Sequence, residues 1–159
     1  MKTARPFQIL LEHPDFKEGN HWKTCKFRSS QVIFREGDRD RAVYLVLTGV
    51  VRLMANLDLE DHRRVQPGFS DLGAGEVFGE LPLFDNQPRS ASVIAISDCE
   101  LVEMNSDSLI TFLDQHPDIG YEVFRELNYM LVRRLRNANR KIFSLFAWGL
   151  KNCGITQHL

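Results

Sequence analysis

The sequence predicts a mainly β fold with a short helix in front of the strands and longer helices behind them. Between residues 31 and 104, short runs rich in β-branched and aromatic residues are separated by glycines, a rhythm typical of hairpin-rich β structure. Residues 6–20 place apolar side chains around His13-Pro14, which indicates a short amphipathic helix that breaks near the proline. After Asn105 the apolar residues recur every three or four positions, which is the spacing of helices.

At least seven short strands are expected, because each apolar run is followed by a turn signal such as Gly49, Gly73 or Gly75. Six of these strands can be placed from their composition, at residues 31–34, 42–48, 50–57, 68–72, 92–96 and 100–104.

Two helices are expected after the strands. Ser106 can cap the first helix, which would run to about Gln115, and Pro117 suits the first turn of the second. The second helix carries an apolar seam at three- and four-residue spacing, which consists of Phe124, Leu127, Leu131, Leu135, Ala138, Ile142 and Leu145. The seam predicts a parallel coiled-coil homodimer. The alternative is that it packs against the β region of its own chain.

The whole chain is expected to form one domain, because its 159 residues lie within the usual size range and contain no glycine-, proline- or serine-rich linker. We assign residues 1–27 to an N-terminal helical cap and residues 28–104 to the β region. Residues 105–147 are assigned to the C-terminal helices, and residues 148–159 to a tail.

Charge and composition argue against several classes of protein. The chain has 20 Lys and Arg against 21 Asp and Glu, so no overall field attracts nucleic acid or an anionic membrane. Cys25, Cys99 and Cys153 are scattered and odd in number, which indicates free thiols in a reducing compartment. No apolar run is long enough to span a bilayer, and the N-terminus lacks the core of a signal peptide, so we expect a cytoplasmic protein without membrane contact.

The sequence shows no catalytic or metal-binding motif. It contains no nucleophile elbow and no phosphate-binding P-loop. The five histidines show no HExxH or similar metal spacing; they lie at positions 13, 21, 62, 116 and 158. We therefore expect neither an enzyme nor a metal site, and no cofactor.

The segment that carries chemistry is residues 75–93, GEVFGELPLFDNQPRSASV. Gly79 allows the backbone to come close to a ligand, and the short turn after it presents N–H groups to an anion. Arg89 offers several donors in a fixed fork and keeps its charge when buried, which suits a phosphate shielded from water. Ser90 and Ser92 supply hydroxyls next to it.

Glu80 lies nine residues before Arg89 and needs a different role. A carboxylate beside a phosphate would repel it, unless the carboxylate faces a sugar and accepts from a hydroxyl. Glu80 and Arg89 are therefore expected to contact opposite ends of one ligand, and the segment as a whole suits a cyclic phosphodiester.

The motifs FGELPLF and PRSASV resemble the phosphate-binding cassette of the cyclic-nucleotide-binding domain family. The usual form of that cassette is FGE, a short helix, then an arginine, a serine or threonine, an alanine and a small residue. The resemblance covers roughly residues 28–142 and includes the turn glycines Gly37, Gly49 and Gly75. It implies a β-roll, also called a double-stranded β-helix or jelly-roll, with a short N-terminal helix and a long C-terminal dimerisation helix.

The resemblance also implies roles for the matched residues. The backbone amides of Gly79 and Leu81, together with Arg89 and Ser90, would hold the phosphate of a cyclic nucleotide. Glu80 would accept from the ribose 2′-hydroxyl.

The base is expected to be adenine, so the favoured ligand is cAMP. Because Ser90 resembles members of the family that also accept cGMP, cGMP stays open. In the bacterial transcription-factor branch of the family, polar residues on the long helix meet the base, and Asn137 and Asn139 are the candidates here. That branch continues into a DNA-reading domain, but no helix-turn-helix follows the long helix of this sequence, so we expect no DNA contact.

Pro82 departs from the family pattern, which commonly has alanine, glycine or serine at this position. Proline has no N–H, so one possible phosphate donor is missing. Loss of one charge-assisted hydrogen bond costs about 1.5–3 kcal/mol, which is roughly one to two decades of affinity. Weaker binding or an altered ligand is therefore one expectation.

Three functions follow from these observations. The first is a cyclic-nucleotide sensor that passes its occupancy through the C-terminal helix to an unidentified protein partner. The second is a ligand-free dimeric adaptor that uses the β-roll as a scaffold. The third is a receptor for another nucleotide, such as a cyclic dinucleotide.

Overall fold

A computed structural model of the chain describes residues 5–55, 57–58, 64–65 and 68–152. By their contacts the residues divide into two compact units at Val123 and Phe124. The first unit contains every strand and the first two helices, and the second consists of the long last helix from Phe124 onward.

The first unit is built mainly from antiparallel strands. In the described ranges there are ten: β1 (Trp22–Phe27), β2 (Val32–Phe34), β3 (Ala42–Thr48), β4 (Val51–Met54), β5 (Leu57–Asp58), β6 (Arg64–Val65), β7 (Gly68–Leu72), β8 (Val77–Phe78), β9 (Ser92–Ala95) and β10 (Cys99–Asn105). One four-stranded sheet has the order β1-β10-β3-β8 and the other has the order β2-β9-β4-β7, while β5 pairs with β6. With a short helix α1 (Arg5–Glu12) before them and helices α2 (Ser106–Gln115) and α3 (Pro117–Asn152) after them, this confirms the predicted β-roll with flanking helices.

The core of the roll is shared by both sheets. Its buried cluster includes Tyr44 and Leu101 from the first sheet and Val51 and Val93 from the second. The central strand β3 has the sequence AVYLVLT and is buried along most of its length, and it pairs with β10 at one edge and with β8 at the other. Such continuous apolar runs suit a strand that is covered on both sides.

The first strand lies inside the segment that the sequence assigned to the helical cap. β1 occupies residues 22–27, whereas the β region was predicted to begin at residue 28. Its lysines obscured the strand pattern, but they pair across the sheet with β10: Lys23 Nζ lies 3.1 Å from Glu103 Oε1, and Lys26 Nζ lies 3.6 Å from Glu100 Oε1. Opposite charges on neighbouring strands stabilise their pairing, and charged residues are common on strands at the edge of a sheet.

The helices begin close to the predicted positions, but the cap of α2 differs. Asn105, rather than Ser106, is the capping residue, because Asn105 Oδ1 accepts from the Ser108 amide at 3.0 Å. Ser106 is fully buried, and its hydroxyl oxygen accepts from Arg41 Nε at 3.3 Å. The α1 helix ends before His13-Pro14, as predicted.

The last helix continues into the segment that was assigned to a tail. α3 starts at Pro117, as predicted, and runs to Asn152, so residues 148–152 are helical. Residues 153–159, including Cys153, lie outside the described residues. In the second unit, three members of the predicted seam are exposed: Leu135, Ile142 and Leu145. Phe143, Phe146 and Trp148 are exposed beside them.

Two of the three cysteines are described, and both are free thiols. Cys99 is buried in the core. Burial, reinforced by the negative charge of Glu103, raises the pKa of the Cys25 thiol to about 11. Within the described residues, no helix is both long and apolar enough to cross a membrane.

We predict that Asn105→Ala lowers the free energy of unfolding by about 1 kcal/mol, within a range of roughly 0.5–2 kcal/mol, because it removes the side chain that caps α2. Urea unfolding measures this difference. Ser108→Ala is the matched control, since it keeps the backbone amide that Asn105 binds. Equal losses in the two variants would show that the cap contributes nothing.

Candidate functional site

The segment between β8 and β9 forms the candidate site. Gly79 follows β8 directly and has a φ of +70°, a conformation that favours glycine. A Cβ atom at this position would lie 2.7 Å from Arg89 Nη1 and 3.1 Å from the carbonyl oxygen of Ala42. Gly79 is therefore required both by its backbone conformation and by the close approach of Arg89.

Arg89 is buried, with only 5% of its surface exposed. Its Nη1 donates to the carbonyl oxygen of Gly79 at 2.9 Å, and its Nη2 donates to that of Ala42 at 2.6 Å. Its Nε donates to Asp40 Oδ2 at 3.0 Å, and Nη2 also donates to Asp40 Oδ1. The guanidinium carbon lies 4.1 Å from the ring centroid of Phe34, within range of a cation–π contact. The predicted anion-binding arginine is thus held in one place from several sides.

Asp40 is the negative charge that faces this arginine. Its side chain is 43% exposed, whereas the side chain of Arg89 is almost completely buried. Partial burial raises the pKa of the Asp40 carboxyl, but the hydrogen bonds and positive charge of Arg89 outweigh this effect and hold the pKa below its ordinary value. The site therefore holds an ionised carboxylate where an anionic ligand would approach the arginine.

Glu80 is also buried, with 4% of its surface exposed. It precedes a short 3₁₀ turn over Leu81–Leu83, and its carbonyl oxygen accepts from the Leu83 amide at 3.0 Å. Gly79, the residue before Glu80, contacts the guanidinium of Arg89 through its carbonyl oxygen. A carboxylate can accept a hydrogen bond from a hydroxyl group.

The other predicted site residues differ in their surroundings. Leu81 and Ser90 are exposed, whereas Ser92 is buried and its hydroxyl oxygen accepts from the Glu36 amide at 2.9 Å. Pro82 is buried within the 3₁₀ turn and, as expected from its chemistry, offers no N–H. A ligand role for Ser92 stays a prediction. Its hydrogen bond with the Glu36 amide ties β9 to the loop before β3.

Asn137 and Asn139 lie on α3, in the second unit, and both are exposed. Asn137 Oδ1 accepts from Arg140 Nη2. Their contact with a base stays a prediction.

Sequence reasoning missed three residues around the site: Phe34, Asp40 and Arg41. The signal for the last two is the charged run DRDR at residues 38–41, which leads directly into the buried strand β3. Charged residues beside a buried strand need partners.

Arg41 joins the candidate site to α2. Its Nη2 donates to the carbonyl oxygen of Pro82 at 2.9 Å and lies 3.2 Å from Asp107 Oδ1, while Nη1 donates to Asn86 Oδ1. Its Nε donates to the hydroxyl of Ser106. One side chain therefore connects the turn after Glu80 with the first turn of α2.

A β-roll whose glycine-turn segment presents a buried arginine and a buried glutamate defines an anion-binding regulatory domain. Comparison with protein families agrees with this class, because the model for the cyclic nucleotide-binding domain matches residues 24–116, more than half of the chain. The chain belongs to the cyclic nucleotide-binding domain family.

Relatives of the chain include regulators and enzymes. It is 36% identical to the cyclic AMP receptor protein of Thermus thermophilus over 110 residues, which are 69% of this chain and 47% of that protein. It is 34% identical to lysophospholipase nte1 of Neurospora crassa over 114 residues, 72% of this chain and 7% of the enzyme. The chain spans about half the length of the curated cAMP regulators it matches.

Solved structures share the fold. A cyclic nucleotide-binding domain from Methylobacillus flagellatus superposes with a TM-score of 0.70 at 25% identity, covering 78% of this chain and 67% of that one. The c-di-GMP responsive global regulator CLP of Xanthomonas campestris gives a TM-score of 0.63 at 26% identity, covering 79% of this chain and 59% of that one.

We predict that the Asp40–Arg89 pair makes stability depend on acid pH. Since the pKa of Asp40 is lowered in the folded state, the pair stabilises the fold above about pH 4, the usual Asp value, and this contribution is lost as the pH falls through the lowered pKa. The difference in unfolding free energy between the natural chain and Asp40→Asn should therefore shrink below about pH 4. Urea unfolding across this range measures the difference, and a pH-independent difference would contradict the assignment.

Proposed function

We propose that this domain is a sensor that binds a cyclic nucleotide, with cAMP as the favoured ligand, and relays its occupancy to other parts of the protein or to a partner. The observation that carries the proposal is the buried guanidinium of Arg89, held at a fixed position above Phe34 by the carbonyls of Gly79 and Ala42. A buried, pre-positioned arginine is costly for a fold to keep and is well suited to a phosphate.

The phosphate would bind to Arg89, to the backbone amides of Gly79 and Leu81, and to the hydroxyl of Ser90. Asp40 occupies the ligand-facing donors of Arg89, so an incoming phosphate exchanges one anionic partner for another. The exposed position of Asp40 supports this exchange, because its carboxylate can turn toward water. Glu80 would accept from the ribose 2′-hydroxyl, which accounts for a buried carboxylate close to an anion site.

Adenine is the proposed base. The cyclic AMP receptor protein of Thermus thermophilus supports cAMP, and the c-di-GMP responsive regulator supports the cyclic dinucleotide alternative. Ser90 keeps cGMP open, and Asn137 and Asn139 are the proposed contacts to the base. Pro82 removes one donor from the turn, so the affinity is expected to lie below that of a cassette with a complete set of amides.

The relay would begin at Arg41. A ligand that moves the turn after Glu80 also moves the carbonyl of Pro82, which Arg41 binds, and Arg41 is tied in turn to Ser106 and Asp107 at the start of α2. The exposed apolar residues of α3, which include Leu135, Ile142 and Phe146, would receive the signal as the surface of a homodimer.

That apolar surface also favours the second candidate function, a ligand-free dimeric adaptor. In that case the surface would recruit a protein partner at every nucleotide concentration. The expectations of no catalysis, no DNA contact and a cytoplasmic location stay predictions, since relatives of the chain include both regulators and an enzyme.

The proposed function is tested by thermal unfolding with millimolar cAMP, cGMP and c-di-GMP, because a ligand that binds the native state raises its melting temperature. We expect a rise with cAMP that is lost in Arg89→Ala, with each variant compared with its own ligand-free melting temperature. Arg52→Ala, which removes an exposed arginine paired with Asp71, is the matched control and should keep the rise. The absence of a rise with all three nucleotides would favour the adaptor.

Glu80 is tested separately with a modified ligand. Isothermal titration should show that the natural chain prefers cAMP over 2′-deoxy-cAMP by about 10- to 100-fold, the value of a hydrogen bond to a charged group. Glu80→Gln should reduce this preference. Glu76→Gln, whose side chain accepts from the Gly73 amide, should leave it unchanged. An undiminished preference in Glu80→Gln would place the ribose elsewhere.

The relay is tested by amide hydrogen exchange. Addition of cAMP should change the exchange of residues 106–115 in the natural chain, and Arg41→Ala should abolish most of this change while the chain still binds the nucleotide. Arg52→Ala again serves as the control. An unchanged response of α2 in Arg41→Ala would rule out Arg41 as the connection.

A further inference from the structure

Three potential metal ligands from distant parts of the sequence lie together on the first unit. His13 and Asp15 are in the loop between α1 and β1, and His116 is at the junction of α2 and α3. One ring nitrogen of each histidine and one carboxylate oxygen of Asp15 all lie within 4.8 Å of one another. The two imidazole rings are 4.7 Å apart between centroids, and His116 Nε2 is 3.9 Å from Asp15 Oδ2. The fold thus brings together two histidines and one carboxylate that form no recognisable metal-binding motif in the sequence.

The surroundings of His116 orient its ring as a metal-bound histidine is usually oriented. His116 Nδ1 donates to the carbonyl oxygen of Phe112 at 2.9 Å, so the lone pair of this imidazole is on Nε2, the nitrogen that faces Asp15. A hydrogen bond from the second nitrogen to a backbone carbonyl is the common support of a metal-bound histidine. The ring of His116 also stacks on Phe112, with centroids 4.1 Å apart.

His13 is held on the opposite side of the same group. Its Nδ1 accepts from the backbone amide of Asp15 at 3.2 Å, which holds the ring beside Asp15. This hydrogen bond must break for Nδ1 to bind an ion. Its ring packs edge-on against Phe112, with centroids 5.2 Å apart. The side chain of Asp15 is 69% exposed and can turn toward the two rings without disturbing the core.

The separations of the three ligand atoms fit a small ion if the side chains move closer together. Zinc bonds of about 2.0–2.2 Å in tetrahedral geometry place neighbouring ligand atoms about 3.3–3.5 Å apart. The ligand atoms now lie within 4.8 Å of one another, so the widest separation must shorten by up to about 1.5 Å. An open cavity of about 400 Å³, lined by Asp15, His116, Asp107 and Thr111, gives an ion access. Three protein ligands leave a fourth position for water.

We propose that His13, Asp15 and His116 bind a divalent transition metal ion, with Zn²⁺ the best match to two imidazoles and one carboxylate. Magnesium prefers a shell of oxygen ligands and suits this set poorly. The ion would connect the segment after α1 to the junction of α2 and α3, about a hundred residues away in the sequence. None of the three ligands belongs to the nucleotide cassette, so the metal site does not depend on the proposed sensor function.

The test uses the full chain, stripped of metal and carrying Cys153→Ser in every sample so that this thiol cannot bind the ion. Isothermal titration with Zn²⁺ alone should show one equivalent bound, and Mg²⁺ should not compete. His13→Phe and His116→Phe keep the aromatic packing and should each weaken binding by about tenfold or more. His21→Phe is the matched control, because His21 lines the same cavity but lies outside the cluster, and it should bind as the natural chain does.

A second variant and a second readout guard against a folding defect. Asp15→Asn alters only an exposed side chain and should also weaken Zn²⁺ binding by about tenfold or more. Co²⁺ in place of Zn²⁺ should give the visible absorption of a four-coordinate site without a thiolate charge-transfer band. Equal affinity in the natural chain, His116→Phe and Asp15→Asn, or a thiolate band with Co²⁺, would overturn the proposal.

Discussion

A guanidinium group taken out of water must find an acceptor for its donors, and this requirement organises the centre of the domain around Arg89. The carbonyls of Gly79 and Ala42 turn toward it, and Gly79 can do so only because it has no side chain. Asp40 supplies the opposing charge, and Phe34 closes the remaining face. Arg89 therefore joins the residue after β8 to the start of β3, two strands that also pair directly in the sheet.

The loop before β3 performs two tasks with adjacent residues. Asp40 contacts the arginine of the site, and Arg41 contacts the turn after Glu80 together with the first residues of α2. The two residues are neighbours in the chain, so the contact to Arg89 and the contact to α2 lie one peptide bond apart. The short charged run of residues 38–41 thus places the carboxylate that binds Arg89 beside the arginine that binds the start of α2.

The sequence predicted the fold class well, because the signals for its elements are local. Apolar runs bounded by glycines indicate the strands, and a proline indicates the start of α3. It failed for β1, where the lysines that hid the strand are matched by glutamates of β10 about eighty residues later. It predicted site roles for Arg89 and Glu80, which the structure shows to be buried, but it missed Asp40 and Arg41. The partners of Asp40 and Arg41 are set by the close approach of loops that only the folded chain brings together. The cap of α2 went to Asn105 because Ser106 is turned inward to Arg41.

The strand order also has a consequence for how the chain acquires its structure. β1 pairs with β10 and β2 pairs with β9, so the first strands made depend on the last ones. At about 5–20 residues per second, a ribosome would need roughly 4–16 s to make the partner of β1, and folds with such distant pairings form slowly. During that interval the apolar run of β3 has no β10 to cover it. Both sheets thus wait for the last two strands, and a nascent chain paused before residue 99 would be a natural substrate for chaperones.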